Sequence, residues 1–355
     1  EAKANLLNAY EQAVKSKETR KSDSLATAIV RSLLAGRILT EPETDLAIIR
    51  EGLEAIDPAR ASGAFREFWE DRARHLILTT KEEPENATAT LRTLYEQSSE
   101  LPLEAPVEAE LGAFAHTDFG EPGEVLSRRV DEELGVTLIE LSNGVSVHLK
   151  PTDFEKNSIL VGAAIGYGKL ALPPAKPGLD VFADQVIASG GIGDYSADEL
   201  KQILAGRNVS FGAGGGFGVE DGRFTLGGRT TPEDLELQLQ IMAAQIEMPG
   251  YRDEAVSLFR RNLPMIYQQM KHTPGGALQE MSAWLRGNDP RFEFPPQDVL
   301  AGYEIDDARQ WLEPEFSRGA IELNLVGDFE VDAVLPAILA TIGALEPRAP
   351  REVPD

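Results

Sequence analysis

The chain contains no cysteine and only four histidines among its 355 residues. Without cysteine it cannot form a disulfide framework, a thiolate nucleophile or a Cys-ligated metal site. The histidines, His75, His116, His148 and His272, are far apart, and no two are four residues apart on one helix. No Gly-x-Ser-x-Gly elbow of a serine hydrolase is present. No apolar run approaches the ~20 residues that a membrane-spanning helix needs, so none is predicted.

Positive charge is also scarce, with 34 Lys and Arg against 59 Asp and Glu and a formal net charge of -25. Phosphate recognition needs clustered cations, so the sequence does not predict a nucleic-acid-binding protein. A composition that is 42% hydrophobic and 26% charged is ordinary for a globular protein. The first residue is Glu1 and no signal-peptide pattern follows it. We therefore expect the chain to be a piece of a longer polypeptide.

Three stretches follow one another along the chain. Residues 1–100 are predicted to be mainly helical, with helices at 4–14, 24–34 and 43–55 and a short apolar strand at 74–80. Residues 101–134 are acidic and interrupted by Pro and Gly, which is typical of a linker. Residues 135–355 are predicted to hold a complete α+β domain. Its last elements are a strand at 320–326 and a helix at 331–345.

Two motifs in the third stretch carry the functional interpretation. Residues 141–154 predict a hairpin, because apolar residues alternate on both sides of a tight Asn143-Gly144 turn. After a strand at 159–165 comes the helix at 178–190. Its spacing matches the inverted zinc motif H-x-x-E-H, with Val181 and Gln185 at the histidine positions and Asp184 at the glutamate position. Valine has no lone pair and a neutral amide is a poor zinc ligand, so this helix should not hold catalytic zinc.

Together the hairpin and this helix resemble the insulinase or pitrilysin family of zinc metallopeptidases. The resemblance implies an α+β insulinase-like metallopeptidase domain, with an antiparallel-rich mixed sheet flanked by helices, preceded by a mainly helical partial domain. It also implies a third ligand, a glutamate, on a later helix, where Ile266 stands in this chain. Glu254 is the nearest carboxylate there, and an acid in the first turn of a helix is interpreted as favouring the helix dipole.

In this family the enzyme has two homologous halves that close around a peptide, and only the first half normally carries zinc. The resemblance therefore implies that this chain is the non-catalytic C-terminal half, preceded by the tail of the first. Zinc would belong to the absent half, which would be the chain's partner together with peptide substrates. The alternative is a catalytically inactive scaffold or processing-partner subunit of the same family. Large bacterial relatives are often periplasmic, which favours export, although a chain without cysteine is equally compatible with the cytoplasm.

The glycine-rich segment at 212–218 offers a candidate substrate contact. It lacks the Lys-Ser/Thr that follows a phosphate-binding loop, and it runs into a strand rather than a helix. In the family's active half the matching edge strand pairs with extended substrate, which implies substrate binding at Gly214, Gly215, Gly216 and Phe217. A flexible hairpin packed against neighbouring helices is the competing interpretation.

Overall fold

A computed structural model of the chain describes residues 1–70, 75–80, 85–102, 111–212 and 216–351. The chain forms two compact units, one made of Glu1–Leu46 and Gly112–Asp355, the other of Ala47–Leu111. The helices that precede the sheet in the sequence are α1 (Ala2–Lys15), α2 (Ser22–Leu34), α3 (Pro42–Glu54), α4 (Pro58–Glu70) and α5 (Ala87–Glu100). The helices predicted at 4–14, 24–34 and 43–55 are therefore present, each with slightly different ends.

The strand predicted at 74–80 is wrong for the residues that the structure describes. Residue 74 lies outside the described residues, and residues 75–80 have no regular structure. Ile77 in this segment is 90% exposed. An extended segment becomes a strand only when a neighbour completes its hydrogen-bond ladder, and no ladder joins these residues to a strand in the described part of the chain.

A seven-stranded sheet forms the centre of the larger unit, in the order β1-β2-β3-β7-β4-β6-β5. Only the pairing of β3 with β7 is parallel, and the other pairs are antiparallel. This is the predicted α+β class with an antiparallel-rich mixed sheet. The strands are β1 (Val125–Asp131), β2 (Val136–Leu141), β3 (Ser146–Pro151), β4 (Ile159–Ile165), β5 (Phe217–Val219), β6 (Phe224–Thr230) and β7 (Ile321–Gly327).

One face of the sheet is buried and the other is polar. In β7, Leu323 and Leu325 are fully buried, whereas Glu322 and Asn324 lie on the opposite face and are only partly buried. His148 of the adjacent β3 is hydrogen-bonded to Asn324 on that polar face (3.0 Å). Such alternation is expected where an antiparallel-rich sheet packs helices on one side and meets solvent on the other.

The remaining helices supply that packing. They are α6 (Leu179–Gly190), α7 (Ala197–Ile203), α8 (Leu235–Glu247), α9 (Asp253–His272), α10 (Pro274–Leu285), α11 (Gln297–Ala301), α12 (Ile305–Arg318) and α13 (Val331–Ala340). No helix in the described ranges combines the length and the apolar character needed to cross a membrane.

The Asn143-Gly144 turn joins β2 to β3, as the sequence predicted. Gly144 has φ +84°, a left-handed conformation that favours glycine. The buried amide of Asn143 donates to the carbonyl oxygens of Ile342 (3.0 Å) and Leu345 (3.1 Å). The turn is therefore fixed to the C-terminal end of the domain.

Two boundaries differ from those expected. The helix predicted at 331–345 ends at Ala340, because Thr341 leaves the helical region (φ -117°, ψ -93°) and a short 3-10 helix follows at Ile342–Ala344. Within the range assigned to the linker, the Gly123 amide donates to the Leu339 carbonyl (3.0 Å), and β1 joins the sheet from Val125. The rest of the predicted linker within residues 101–134 stays a prediction.

Candidate functional site

The degenerate motif lies on helix α6, and a close contact at Gly178 fixes where this helix starts. Gly178 precedes the helix with φ +76°, and a Cβ atom at this position would strike the side chains of Pro295 and Leu300. One side of α6 is fully buried in the core, including Leu179, Phe182, Ala183, Val186 and Ile187. The opposite side of the helix is less buried.

The motif positions lie on that other side. Val181 and Asp184 are partly buried and Gln185 is exposed. Helix α9 packs against α6, with the rings of Phe182 and Phe259 5.2 Å apart, and Ile266 of α9 is partly buried against the same core. Of the four motif positions, only Asp184 has a carboxylate or imidazole group that could bind zinc.

These residues do not fit the zinc that the resemblance implies for an active half. A zinc site needs nitrogen, sulfur or carboxylate donors converging on one point. In the part of the chain that the structure describes, no three His, Asp or Glu side chains converge in a way that could hold a metal ion. We therefore derive no step of metal chemistry from this helix.

Helix α6 carries two carboxylates one helical turn apart, the buried Asp180 and the partly buried Asp184. Asp180 is one helical turn before Asp184, and its Oδ2 accepts a salt bridge from Lys169 Nζ at 2.7 Å. Burial raises the pKa of the Asp184 carboxyl, and the neighbouring charge of Asp180 raises it further, against opposing effects from Gln185 and Lys169. This part of α6 therefore holds one ion pair and one partly desolvated carboxyl group. Lys169 could not be identified as a site residue from the sequence, because no local pattern links it to α6.

A cleft of about 670 Å³ begins where α6 ends. Arg252 fixes its geometry, since its guanidinium donates to the carbonyl oxygen of Gly190 and to that of Gly193 (2.8 Å). Glu254 lines this cleft and lies exposed in the first turn of α9. Its other lining residues include Ala188, Ser189, Lys201, Phe211, Gly212 and Leu258.

The glycine-rich segment adjoins this cleft at Gly212. Gly214 and Gly215 lie outside the described residues, so their predicted role stays untested. The Gly216 amide donates to the Gly212 carbonyl (3.0 Å). Phe217 begins β5, which is the last strand in the sheet order. Its ring packs 6.1 Å from that of Phe224 and 5.9 Å from that of Phe316, so the Phe217 side chain contributes to the core.

Comparisons with known proteins support the fold that the hairpin and helix α6 indicated. No protein-family model matches the chain. The chloroplastic stromal processing peptidase of Arabidopsis thaliana is 24% identical over 228 residues, which is 63% of this chain and 18% of that protein. The chain thus spans less than a fifth of the length of this curated relative.

Three solved structures share the fold. The ferredoxin protease FusC, an E83A mutant in complex with Arabidopsis ferredoxin, has a TM-score of 0.58 and 16% identity, covering 95% of this chain and 37% of that one. The periplasmic protease PqqL from Escherichia coli has a TM-score of 0.56 and 18% identity, covering 99% and 39%. Pitrilysin has a TM-score of 0.52 and 16% identity, covering 66% and 26%.

The resemblance that the hairpin and helix α6 indicated is therefore confirmed: this chain has the α+β fold of the insulinase/pitrilysin family of peptidases and a distant sequence similarity to a member of it.

Proposed function

We propose that the chain is part of a zinc-dependent endopeptidase, in which it forms the non-catalytic half of a chamber that encloses peptide substrates. Zinc and the glutamate that activates water would belong to a catalytic half, either of the same polypeptide or of a homologous subunit. This chain would supply enclosure, exclusion of bulk water and contacts that orient the peptide.

The observation that carries the proposal is the outer side of α6. The fold resembles that of a peptidase half, and we infer that Val181, Gln185 and Ile266 stand where the family's active half has metal ligands. Helix α6 packs against α9, as the Phe182–Phe259 ring contact indicates. A domain that keeps the helix packing but lacks the donors is suited to a structural and substrate-orienting role.

Orientation is a sufficient reason for an enzyme to have such a half. Holding a reactant in the right geometry contributes on the order of 7–11 kcal/mol to lowering a barrier in favourable cases. Candidate surfaces for that contact are β5, with Gly216 and Phe217, and the adjoining cleft lined by Arg252 and Glu254. Backbone pairing along an edge strand binds extended peptides with little dependence on their sequence.

Substrates of this class are consistent with what the similar proteins are called. FusC is named for ferredoxin cleavage and the plant relative for processing in the chloroplast stroma. We extend from these names only the class of substrate, an unfolded or extended segment of a protein. We also propose an exported location, because the structurally similar protease PqqL is periplasmic.

The proposal is tested by separating zinc binding from chamber formation. Zinc content and cleavage of a quenched fluorescent peptide are measured for this chain alone, for a catalytic half alone, and for the two co-expressed. We expect zinc only in samples with the catalytic half, and chelator-sensitive cleavage that is strongest in the combined sample. Zinc-dependent cleavage by this chain alone would contradict our interpretation of α6. A stable complex that cleaves nothing, although its catalytic half binds zinc, would favour the inactive scaffold instead.

A further inference from the structure

A second cleft, of about 560 Å³, lies between helices α1 and α2 and the ends of β4 and β6. Its size falls within the ~300–1,000 Å³ typical of small-ligand pockets. It is distinct from the α6 face, because none of its lining residues lies between 159 and 207. We call it the cationic cleft, after the side chains described next.

The cationic cleft concentrates positive charge in a strongly acidic chain. Among the described residues, four cations and one carboxylate line it, although the whole chain has a formal net charge of -25. The cations are Arg20, Lys21, Lys156 and Arg229, and the carboxylate is Glu155. A local excess of positive charge of this kind raises the local concentration of anions.

The cations are only partly neutralised by the protein itself. Glu155 is shared between Arg229 and Lys21, with Lys21 Nζ 3.4 Å away. Lys156 Nζ is 3.3 Å from Asp328 Oδ1. Arg20 donates Nε to the Lys17 carbonyl (3.0 Å) and has no carboxylate within ion-pair distance among the described residues. Glu155 and Asp328 therefore pair with Lys21, Arg229 and Lys156, and Arg20 is left, among the described residues, to pair with an added anion.

The wall formed by α1 and α2 is held in place by hydrogen bonds to the sheet side. The Thr19 hydroxyl accepts from the Lys156 amide (2.9 Å), and Asn8 donates to Asn208 (3.0 Å). The Gln12 amide oxygen accepts from the Asn157 side chain. These contacts keep the cleft open without a ligand, which lowers the entropic cost of binding one.

One buried hydroxyl in this cleft has no partner. Thr230 is 1% exposed and lines the cleft, and its Oγ1 makes no hydrogen bond to any residue that the structure describes. Leaving a buried polar group unsatisfied costs about 1–3 kcal/mol. Native structures keep such groups rarely, and a bound ligand is one reason for keeping them.

The start of α2 adds a third feature. Lys21 occupies the N-cap position, and its side chain forms no capping hydrogen bond. The first amides of a helix lack partners within the helix and carry partial positive charge. Lys21 and Ser24, at this end of α2, line the cleft. The helix end adds to the charge of the four cations, although Asp23 in the same first turn offsets part of it.

We propose that the cationic cleft binds a carboxylate-bearing peptide segment, an acidic side chain or a free C-terminus. The carboxylate would sit between Arg20, Arg229 and Lys156, with the Thr230 hydroxyl donating to it. The cleft also contains features that match the rest of a peptide. Leu25, Ala28 and Val209 give the cleft an apolar part that a bare inorganic anion would not use. This inference goes beyond the proposed function, since it does not depend on a catalytic half.

The test measures binding of a fluorescein-labelled pentapeptide, Gly-Ala-Glu-Ala-Glu with a free C-terminus, to the whole chain by fluorescence anisotropy. We expect saturable binding that weakens with salt. We expect Arg229→Gln to weaken it about tenfold, because a charge-assisted hydrogen bond is lost. Lys271→Gln removes the same charge at the end of α9, outside the cleft, and should change the affinity less than twofold. Equal weakening by both variants would show that the peptide senses only overall charge and would overturn the proposal.

The Thr230→Val variant distinguishes a binding role from a structural one. Valine keeps the shape of threonine and removes the unsatisfied hydroxyl, so the melting temperature should stay the same or rise while the peptide affinity falls several-fold. Unchanged affinity in this stable variant would contradict the role of Thr230.

Two further probes define the ligand. The amidated peptide with Gln in place of Glu should not bind measurably at concentrations that saturate the acidic peptide. Inorganic phosphate should compete only weakly. Tight phosphate binding that displaces the peptide at equal concentration would assign the cleft to a small inorganic anion and overturn the peptide assignment.

Discussion

Lys169 Nζ lies 2.7 Å from Asp180 Oδ2, in an ion pair whose two side chains are 20% and 8% exposed. Asp180 is in the first turn of α6, and Lys169 is in the 3-10 helix Gly168–Ala171 that follows β4. The Lys169 amide also donates to the Glu220 carbonyl (3.0 Å), beyond the end of β5. Through Lys169 the start of α6 is therefore connected to the turn that follows β5.

Replacing Lys169 by Met should destabilise the protein by about 3 kcal/mol, because it leaves the buried Asp180 carboxylate without its partner. The measurement is chemical denaturation of both proteins at pH 7. Lys201→Met serves as the control, since Lys201 pairs with Asp198 in an exposed ion pair and should cost less than about 0.5 kcal/mol. Adding Asp180→Asn to the Lys169→Met variant should recover part of the loss. No recovery would mean that Lys169 stabilises the fold by packing rather than by charge.

Replacing Asp184 by Asn should stabilise the protein at high pH but not at low pH. Burial raises the pKa of Asp184 above its ordinary value of 3.8, so the folded state holds this proton more tightly than the unfolded chain. Stability is thus lost as the pH rises through the folded pKa, and the penalty is absent below the unfolded pKa. Melting temperatures of both proteins should differ more at pH 8 than at pH 4.5. A gain that is equal at the two pH values would contradict this.

Restoring donors to the degenerate motif should create a zinc site. We expect the combined variant Val181→His, Asp184→Glu, Gln185→His and Ile266→Glu to bind about one zinc ion per chain, measured by metal analysis after dialysis. The same variant with Ile266 retained should bind zinc more weakly, because it lacks the third protein ligand. Absence of zinc in a variant whose circular dichroism shows native folding would mean that Ile266 does not face the motif.

The contact between Gly190 and Gly250 should be intolerant of a side chain. A Cβ on Gly190 would collide with the Gly250 carbonyl, at the point where Arg252 also binds the Gly190 carbonyl. Gly190→Ala should therefore destabilise the protein by about 1–3 kcal/mol, the usual cost of overpacking. Gly162→Ala in β4 meets nothing within 4 Å and should be close to neutral. Similar stability of the two variants by thermal denaturation would show that the loop at 250 moves freely away from α6.

The fold was largely predictable because its main elements have strong local signals. Alternation and a glycine turn predicted the β2–β3 hairpin, and helical spacing predicted α1, α2 and α3. The strand predicted at 320–326 became β7 at Ile321–Gly327. Helix α13 ended earlier than its apolar pattern suggested, since that pattern continues through Ile342 while the backbone turns at Thr341. The exposed residues of β1 gave no apolar alternation, so nothing local distinguished this strand from the linker.

The candidate sites were less predictable, because they depend on contacts between distant residues. The motif at Val181, Asp184 and Gln185 could be found, since its spacing is local to one helix. The cationic cleft could not, because Arg20 and Arg229 are separated by more than two hundred residues and no local pattern connects them. Only the arrangement of α1 and α2 against the ends of β4 and β6 brings them together.

The central claim, that this chain completes a peptidase chamber without supplying its metal, is tested most directly by a titration. A catalytic half at fixed concentration is mixed with increasing amounts of this chain, and kcat/KM for a quenched fluorescent peptide is measured at each step. We predict a saturable increase of at least tenfold, abolished by a chelator, with zinc bound only to the catalytic half. A complex that forms but leaves kcat/KM unchanged would contradict the claim.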